Sequence, residues 1–400
     1  MTDALVIGSG PAGSAAALVL ARNGAQVVVV DRHAFPRAKA CGDALIPDAL
    51  QALDRLGLRG EVLREAHRVG AIRIYAPNGW YATIAGECAC LPRMRFDDLL
   101  RRAAMEAGVR FVAPARAVAP LEAERGVAGA MFVDAATGGS FDVRARTTLL
   151  ATGAAAAVLQ AFGMCLRPAP SATAARFYVR VDPDTARAHD YLCIAYAAGL
   201  CPGYGWFFPG PDRTFNVGVG YVYDSPSRPR ERNVRKLLDG FLRSFAPAAA
   251  LMKGAEHVGP LKGAPLRTAM QGARVSRPGL LVIGEAAGLT YSFTGEGIGK
   301  AMQSGIMAAE AVLEMERTSA SPRSAAEAYA TRLSAAFGAR FAAYRRLQQL
   351  ISYPPFANAL IWRAAAGTYV HARLEELLNE EGSPDGGLLS VRGLMRALLT

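Results

Sequence analysis

The 400-residue sequence has few cysteines, no long hydrophobic run and fewer acidic than basic residues, and each shortage excludes a class of protein. Among its six cysteines only Cys88 and Cys90 lie close together, which is weak evidence for metal binding, so we predict reduced thiols and no metal site. The longest apolar runs, residues 12–21 and 26–30, fall short of the roughly 20 residues that a membrane-spanning helix needs. The first residues lack the basic segment and cleavage site of a secretion signal, so we expect a cytoplasmic protein.

The shortage of acidic residues leaves a formal net charge of +11 at pH 7. Such an excess attracts anionic lipid or an acidic substrate, or it is simply a solvated basic surface. It is not accompanied by a nucleic-acid-binding motif, and we therefore predict no nucleic-acid partner. The apolar fraction of 52% is ordinary for a globular protein with a large core.

The first informative motif is a glycine-rich turn near the N-terminus. Gly8, Gly10 and Gly13 form G-x-G-x-x-G directly between an apolar run and a helical pattern, and Asp31 ends the second apolar run. In this arrangement the first glycine permits a sharp turn, the second lets backbone amides approach a pyrophosphate, and the third lets helix and strand pack closely. The acid is placed to accept hydrogen bonds from an unphosphorylated ribose. The segment therefore predicts binding of a dinucleotide such as FAD or NAD.

A second glycine cluster late in the chain indicates which dinucleotide is bound. Gly284 and Glu285 end a predicted strand, and Gly295, Gly297 and Gly299 precede a predicted helix. A helix N-terminus in the same cleft would stabilise negative charge on a reduced isoalloxazine ring. FAD is long enough to need distant segments at its two ends, so we predict FAD.

Aromatic residues alternate in a third segment. Tyr204, Trp206 and Phe208 occupy every second position, which in a strand puts all three rings on one side of a sheet. This aromatic wall is either ordinary core packing or the lining of a cavity for a hydrophobic ligand. Gly218 and Gly220 follow on the next strand segment, where they leave room beside the wall.

With these motifs the sequence resembles the geranylgeranyl reductase family of FAD-dependent oxidoreductases, within the larger group built like the aromatic hydroxylases. The resemblance rests on P-x-x-x-x-C-G at residues 36–42, on R-x-x-F-D at 93–97, and on Y-x-W-x-F-P at 204–209 followed by G-x-G at 218–220. It implies an α/β fold in which a Rossmann-like FAD-binding domain of the glutathione-reductase and hydroxylase type carries an inserted antiparallel-sheet substrate domain and a C-terminal helical region.

The resemblance also implies a discontinuous domain organisation. We assign residues 1–68, 93–160 and 258–318 to the FAD-binding domain and residues 69–92 and 161–257 to the substrate-binding sheet domain. Residues 319–400 form the C-terminal helical region. These helices either cover the substrate cavity, contact a membrane surface peripherally, or serve only as packing.

The motifs and the resemblance together predict the site. The predicted cofactor-binding residues are Gly8, Gly10, Ala12, Gly13, Asp31, Arg32, Cys41, Gly42, Arg93, Val118, Thr152, Gly153, Gly284, Glu285, Gly295, Gly297 and Ile298. The predicted substrate-binding residues are Tyr204, Trp206, Phe208, Gly218 and Gly220, and the predicted catalytic residues are Cys41, Tyr204 and Trp206. Asp43, next to this set, either assists proton delivery or is a solvated residue ahead of the helix, and we favour the solvated position. Glu285 stands where the family usually has an Asp that binds the ribityl chain.

The function implied by the resemblance is reduction of a carbon–carbon double bond in a hydrophobic, isoprenoid-like or enoyl substrate by hydride from reduced FAD. Cys41 or a water molecule would supply the proton. The sequence has one G-x-G-x-x-G motif, so we expect NAD(P)H or an electron-donor protein to act as a transient reductant.

Two alternative functions remain open. The first is a flavin-dependent monooxygenase or halogenase acting on a hydrophobic or aromatic small molecule, although Lys39, the nearest candidate for a halogenase lysine, has the wrong spacing. The second is a non-catalytic flavin sensor.

Overall fold

A computed structural model describes residues 1–223, 232–270, 272–379 and 393 of the chain. Its strands are β1 (Thr2–Ile7), β2 (Val27–Val30), β3 (Ala44–Leu45), β4 (His67–Tyr75), β5 (Tyr81–Cys90), β6 (Arg110–Val112), β7 (Ala115–Ala123), β8 (Gly126–Asp134), β9 (Ser140–Leu150), β10 (Ala172–Arg180), β11 (Leu192–Ala195), β12 (Tyr204–Pro209), β13 (Thr214–Val222), β14 (Glu256–Leu266), β15 (Ser276–Arg277) and β16 (Leu280–Val282). Its helices are α1 (Pro11–Arg22), α2 (Pro47–Arg55), α3 (Arg59–Glu65), α4 (Arg93–Glu106), α5 (Ala156–Ala161), α6 (Pro183–Ala188), α7 (Val234–Ser244), α8 (Ala246–Met252), α9 (Ile298–Thr318), α10 (Pro322–Ile351), α11 (Pro354–Ala366) and α12 (Thr368–Leu378).

The first sheet is a parallel sheet with an antiparallel extension. Strands β16, β9, β1, β2 and β6 lie side by side and parallel, while β15 pairs antiparallel with β16. Strands β7 and β8 continue from β9 as an antiparallel ribbon. The four valines of β2 and the apolar run of β1 suit strands that helices cover on both faces. Helices α1, α4 and α9 pack around this sheet, which confirms the predicted Rossmann-like domain.

The turn between β1 and α1 requires glycine for steric reasons. Gly8 has a φ of +107°, and a Cβ atom there would overlap the carbonyl group of Ala151. A Cβ atom on Gly13 would overlap the carbonyl oxygen of Gly8. These close approaches bring the start of α1 against the ends of β1 and β9.

The second sheet has the strand order β14-β10-β13-β12-β11-β4-β5-β3. All neighbours are antiparallel except β4 and β11, which are parallel, so the predicted antiparallel domain is a mixed sheet. The predicted domain boundary at residue 257 is too early, because β14 continues in this sheet to Leu266. Sequence patterns do not indicate β14, because Gly259, Pro260 and Gly263 are untypical of a strand. Its position at the sheet edge tolerates these residues.

Different helices cover the two faces of the second sheet. On one face, α7 and α8 contribute Leu238, Phe241 and Leu251 to an apolar cluster with β12 and β13. On the other face, the end of α10 together with α11 and α12 packs against β4 and β5. The predicted C-terminal helical region is thus confirmed for residues 322–378. Residues 380–387, whose glycines and proline predict a surface turn, lie outside the described residues.

A buried ion pair connects α2 to the beginning of α9. Lys300 Nζ lies 2.6 Å from Asp48 Oδ2 and 4.3 Å from the ring centroid of Tyr291, and the Lys300 side chain is fully buried. A Cβ atom on Gly299 would overlap the Asp48 carboxylate, so this glycine allows the contact. The pair fixes the N-terminus of α9, which faces the cavity described below.

None of the described helices has the combination of length and apolar character needed to cross a bilayer.

Candidate active site

A cavity of about 700 Å³ lies between the two sheets and is lined by residues of both. Its lining runs from the glycine turn after β1 to the aromatic residues of β12 without interruption. Its volume falls within the range of about 300–1,000 Å³ that is typical of small-molecule sites.

Polar and positively charged groups surround the glycine-turn end. The Cβ position of Gly10 points into the cavity, 3.6 Å from a guanidinium nitrogen of Arg37 and 4.0 Å from one of Arg93. Both arginines contact the buried carboxylate of Asp97, which orients them. Helix α1 begins at Pro11 beside these cations, so this end of the cavity suits an anionic group such as a pyrophosphate.

Asp31 lies at the end of β2, where the motif predicts it. Its Oδ2 atom accepts a hydrogen bond from the backbone N–H of Ser9 at 2.7 Å, and Oδ1 accepts one from that of His33 at 2.9 Å. The carboxylate therefore braces the glycine turn, and it also lines the cavity with Arg32. A carboxylate oxygen accepts more than one hydrogen bond, so these contacts leave capacity for a ribose hydroxyl.

The middle of the cavity contains buried oxygen atoms that have no hydrogen-bond partner among the described residues. They belong to Thr152 (Oγ1), Glu285 (Oε1), Ser292 (Oγ) and Thr294 (Oγ1). All four residues line the cavity. The other carboxylate oxygen of Glu285 accepts a hydrogen bond from Lys39 Nζ at 2.8 Å, close to Gly153. Buried polar atoms are almost always paired in folded proteins, so this cluster indicates that a polar ligand belongs here.

The loop before α9 is tied to the aromatic strand. Tyr204 donates its hydroxyl hydrogen to the carbonyl oxygen of Thr294 at 2.6 Å. Gly295 has a φ of +72°, and a Cβ atom there would overlap the Tyr204 hydroxyl group. Gly297 and Ile298 begin α9 and line the same cavity.

The far end of the cavity is apolar. Tyr204, Trp206 and Phe208 lie on one side of β12, with ring centroids 5.9 Å and 6.3 Å apart in sequence order. Ile72 and Ile194 of the neighbouring strands line the cavity next to them. Phe207 points to the opposite face and belongs to the cluster under α7 and α8. The aromatic alternation therefore separates the cavity side of β12 from a core side.

Asp43 is buried, and the expectation that it is solvated is wrong. Its Oδ1 atom accepts a hydrogen bond from the backbone N–H of Arg93 at 3.2 Å. Its Oδ2 atom accepts hydrogen bonds from the Tyr178 hydroxyl group and from Asn216 Nδ2. Burial raises the pKa of Asp43 above its ordinary value, whereas these hydrogen bonds and the charge of Arg176 act in the opposite direction. The reason for the burial is that the chain after Asp43 enters the second sheet as β3.

Asn216 connects this carboxylate to Cys41 and Trp206. Its Nδ2 atom also donates to the carbonyl oxygen of Cys41 at 2.7 Å, and its Oδ1 atom accepts a hydrogen bond from Trp206 Nε1 at 3.0 Å. The Cys41 thiol sulfur accepts a hydrogen bond from the backbone N–H of Asp43 at 3.4 Å and lines the cavity. One amide side chain thus fixes both the cysteine loop and the indole ring.

The predicted site residues include neither Asp43, which we expected to be solvated, nor Asn216, Tyr178 and Arg176. The Arg176 guanidinium group donates to the carbonyl oxygen of Lys39 at 2.9 Å. One signal could have revealed Asn216. It shares the alternation of Gly218 and Gly220 on β13 and so lies on the same face as the aromatic wall, where a polar side chain needs a partner.

Comparison with known proteins decides the family. Residues 1–339 match the FAD binding domain family. The chain is 30% identical over 366 residues to the menaquinone reductase of Mycolicibacterium smegmatis, an alignment that covers 88% of this chain and 85% of the relative. It is 30% identical over 325 residues to digeranylgeranylglycerophospholipid reductase 1 of Methanococcoides burtonii, with coverage of 78% and 74%.

The chain belongs to the geranylgeranyl reductase family. It is therefore an FAD-dependent oxidoreductase, which confirms the predicted family, the fold class and FAD as cofactor. Solved structures agree on the fold. A geranylgeranyl bacteriochlorophyll reductase-like protein from Thermoplasma acidophilum has a TM-score of 0.78 at 21% identity, over 99% of this chain and 95% of that one. The flavin-dependent brominase Bmp2 has a TM-score of 0.72 at 21% identity, over 94% and 93%.

The residues of this geranylgeranyl reductase family member fit FAD. The glycine turn, the two cavity-facing arginines and Asp31 suit the adenosine and pyrophosphate end. The buried, unpartnered oxygens of Thr152 and Glu285 suit hydrogen-bonding groups of a ribityl chain or ring. Glu285 therefore keeps an acceptor at the position of the family's usual Asp while it also binds Lys39.

Four residues predicted to bind FAD or substrate do not line the cavity of the flavoprotein. Gly13 packs under Gly8, and Gly284 packs against Ala12, so these two serve close packing. Val118 lies in β7 where a bulge between Ala117 and Ala119 interrupts the pairing with β8, and the cavity is lined by Ala115, Arg116 and Ala117 instead. Gly218 lies under the Trp206 ring rather than beside a substrate.

Gly218 and Gly220 give a matched test of how tightly the flavoprotein holds Trp206. A Cβ atom on Gly218 would overlap indole atom Cζ2 and also the Ala175 carbonyl oxygen and Arg176 Cβ of β10, whereas one on Gly220 would lie 3.7 Å from Cζ3 at ordinary contact distance. We expect Gly218→Ala to lower the free energy of unfolding by about 1–3 kcal/mol through overpacking and Gly220→Ala to change it by less than about 0.5 kcal/mol. Urea titration of both variants measures this. Equal stability of the two would contradict the placement of the ring.

Proposed function

We propose that this protein saturates a carbon–carbon double bond of a hydrophobic, isoprenoid-like or enoyl substrate, with reduced FAD supplying the hydride. The observation that carries the proposal is that the groove fitted to FAD and the pocket lined by Tyr204, Trp206 and Phe208 form one continuous cavity. The names of the relatives support it, because menaquinone and digeranylgeranylglycerophospholipid both contain isoprenoid chains.

The aromatic wall would bind and orient the substrate. Apolar area buried against it contributes about 25 cal/mol per Å². Trp206 keeps its position because its indole N–H is bonded to Asn216, and Tyr204 keeps its position through Thr294. A substrate seated against fixed rings also excludes water from the reacting carbons. Holding the double bond in one orientation is the main contribution that we assign to these residues.

We assign proton delivery to Cys41, acting directly or through a bound water molecule. The thiol lines the cavity, and its sulfur accepts the Asp43 backbone N–H, which leaves the thiol hydrogen free to point towards the substrate. NAD(P)H or an electron-donor protein would act as the transient reductant.

The experiment is anaerobic turnover. The purified flavoprotein is reduced chemically and then given menaquinone, a polyprenyl lipid or an enoyl substrate, and the products are analysed by mass spectrometry. We expect a product heavier by two hydrogens per bond reduced. With menaquinone this gain is measured after reoxidation of the ring in air, because reduction of the quinone to the quinol also adds two hydrogens. Saturation of none of these under any electron donor would overturn the proposal.

The alternative function, a monooxygenase or halogenase acting on a hydrophobic or aromatic small molecule, is tested by the same protein in the presence of oxygen and halide. An oxygenated or halogenated product, without a saturated one, would replace reduction by this alternative. The likeness to brominase Bmp2 concerns the fold and does not favour halogenation.

A further inference from the structure

A long segment of the C-terminal helices has no negative charge. Residues 328–374 include neither Asp nor Glu, but they contain six arginines, at positions 332, 340, 345, 346, 363 and 373. This segment comprises most of α10, all of α11 and the first half of α12. The hairpin of β4 and β5 that packs against α11 and α12 is likewise free of acidic residues from position 68 to 86. Two of these arginines form ion pairs with glutamates outside the segment, Arg332 with Glu314 and Arg373 with Glu376, so the excess of positive charge comes from the others.

Exposed aromatic side chains mark the junction between that hairpin and α11. Trp80 is 51% exposed and Trp362 39%. The rings of Trp80 and Trp362 lie 6.1 Å apart, so the two elements form one surface, which we name the aromatic patch (Trp80 and Trp362). A hydrogen bond of 3.1 Å from the backbone N–H of Asn78 to Asn358 Oδ1 fixes the hairpin turn to α11.

An arginine lies against one ring of the aromatic patch. The guanidinium carbon of Arg363 lies 4.8 Å from the ring centroid of Trp362. Exposed tryptophan next to arginine, with no nearby acidic residue in sequence, is the composition of surfaces that rest at the boundary between lipid headgroups and acyl chains. Rings this large and this exposed leave apolar area in contact with water.

The opposite side of α11 packs on the apolar cluster that lines the cavity. Leu360 and Ile361 of α11 belong to the same cluster as Ile72 and Ile194, and the latter two residues line the cavity. Apolar packing is therefore continuous from the inner side of α11 to the apolar end of the cavity. A ligand bound at the aromatic patch would lie on the outer side of the same helix.

We infer that the aromatic patch docks the protein on an anionic lipid bilayer. The positive charge around the patch complements anionic headgroups, and the two indole rings enter the interfacial layer. A second copy of this chain would present the same positive charge and is disfavoured for that reason. The inference does not depend on which bond the enzyme reduces, because vesicle binding is measured without substrate.

The test is co-sedimentation of the full-length, FAD-loaded protein with lipid vesicles. We expect the protein to pellet with phosphatidylcholine vesicles containing about 30% phosphatidylglycerol and to bind pure phosphatidylcholine at least about tenfold more weakly. Binding should weaken as salt rises, because salt screens the attraction to the headgroups. Failure to bind the anionic vesicles, or equal binding to both compositions, would overturn the inference.

Matched variants locate the surface. We expect the double variant Trp80→Ala, Trp362→Ala to bind anionic vesicles about tenfold more weakly than the wild type. The control is Met94→Ala, Leu166→Ala, which removes two exposed apolar side chains outside the patch, 47% and 64% exposed, and should bind as the wild type does. Retained FAD absorbance and an unchanged melting temperature establish that each variant is folded. Wild-type binding by the patch variant, or an equal loss in the control, would contradict the assignment of the surface.

Discussion

Gly10→Val is expected to yield a folded protein that purifies without FAD. The backbone of Gly10 has φ −82° and ψ −172°, an extended conformation that valine adopts readily, so the substitution introduces no backbone strain. Within the protein the new Cβ atom meets nothing closer than a guanidinium nitrogen of Arg37 at 3.6 Å. The methyl groups would instead occupy the space where the FAD pyrophosphate approaches the backbone. We expect FAD affinity to fall more than about 100-fold, equivalent to more than about 2.7 kcal/mol.

The measurement is the FAD content per chain from absorbance, together with the melting temperature of the wild-type and variant proteins after both have been stripped of FAD. Gly60→Val is the matched control, because Gly60 lies in α3 with no atom near its Cβ position and should retain FAD. Gly13→Ala should instead prevent folding, since its Cβ atom would overlap the Gly8 carbonyl oxygen. Stoichiometric FAD in Gly10→Val would show that the pyrophosphate does not bind at this turn.

The contrast between these glycines explains why this part of the site could be predicted from sequence. The constraints on Gly8, Gly10 and Gly13 come from a strand, a turn and a helix that are adjacent in the chain, and therefore their spacing carries the information. The aromatic alternation at residues 204–208 is local in the same way, because the period of a strand fixes which rings share a face.

The polar groups around Cys41 could not be predicted on these grounds. The three donors to Asp43 lie 50, 135 and 173 residues away in the chain, at Arg93, Tyr178 and Asn216. No local pattern records such contacts, and an Asp ahead of a helix is by default a solvated residue. The end of the substrate domain was missed for a related reason, because β14 is identified by its pairing with β10 and not by its own composition.

Asp43→Asn is expected to disturb Cys41 and Trp206 together, although the two side chains have almost the same shape. The side-chain amide of Asn216 cannot flip to exchange its oxygen and nitrogen, because its oxygen accepts the Trp206 indole N–H and its nitrogen donates to the Cys41 carbonyl oxygen. An asparagine at position 43 that keeps its oxygen towards Arg93 N–H would place an NH₂ group against the NH₂ group of Asn216. A buried conflict of this kind costs about 1–3 kcal/mol.

We expect the turnover of Asp43→Asn to fall about 10- to 100-fold, because each 1.4 kcal/mol is a factor of ten in the population of the competent arrangement. FAD content should remain close to that of the wild type. The rate of Cys41 alkylation should rise and the near-ultraviolet circular dichroism should change, since the cysteine loop and the indole lose a common anchor. Tyr178→Phe is the matched control: it removes a hydrogen bond to the same carboxylate oxygen and leaves all contacts of Asn216 in place, so its effects should be several-fold smaller.

The pH dependence of the free energy of unfolding distinguishes the repulsion between the two NH₂ groups from the loss of the buried Asp43 charge. Burial raises the pKa of Asp43 above 3.8, so protonation stabilises the folded state, and that contribution is lost as pH rises through the folded-state pKa. Asp43→Asn should therefore lack this pH dependence. Near neutral pH the variant should still have a lower free energy of unfolding than the wild type if the contact between the two NH₂ groups costs more than the buried carboxylate does. We expect that order because three donors already compensate the charge. An Asp43→Asn protein with wild-type turnover and an unaltered Trp206 environment would show that Asn216 does not hold the cysteine loop and the indole through Asp43.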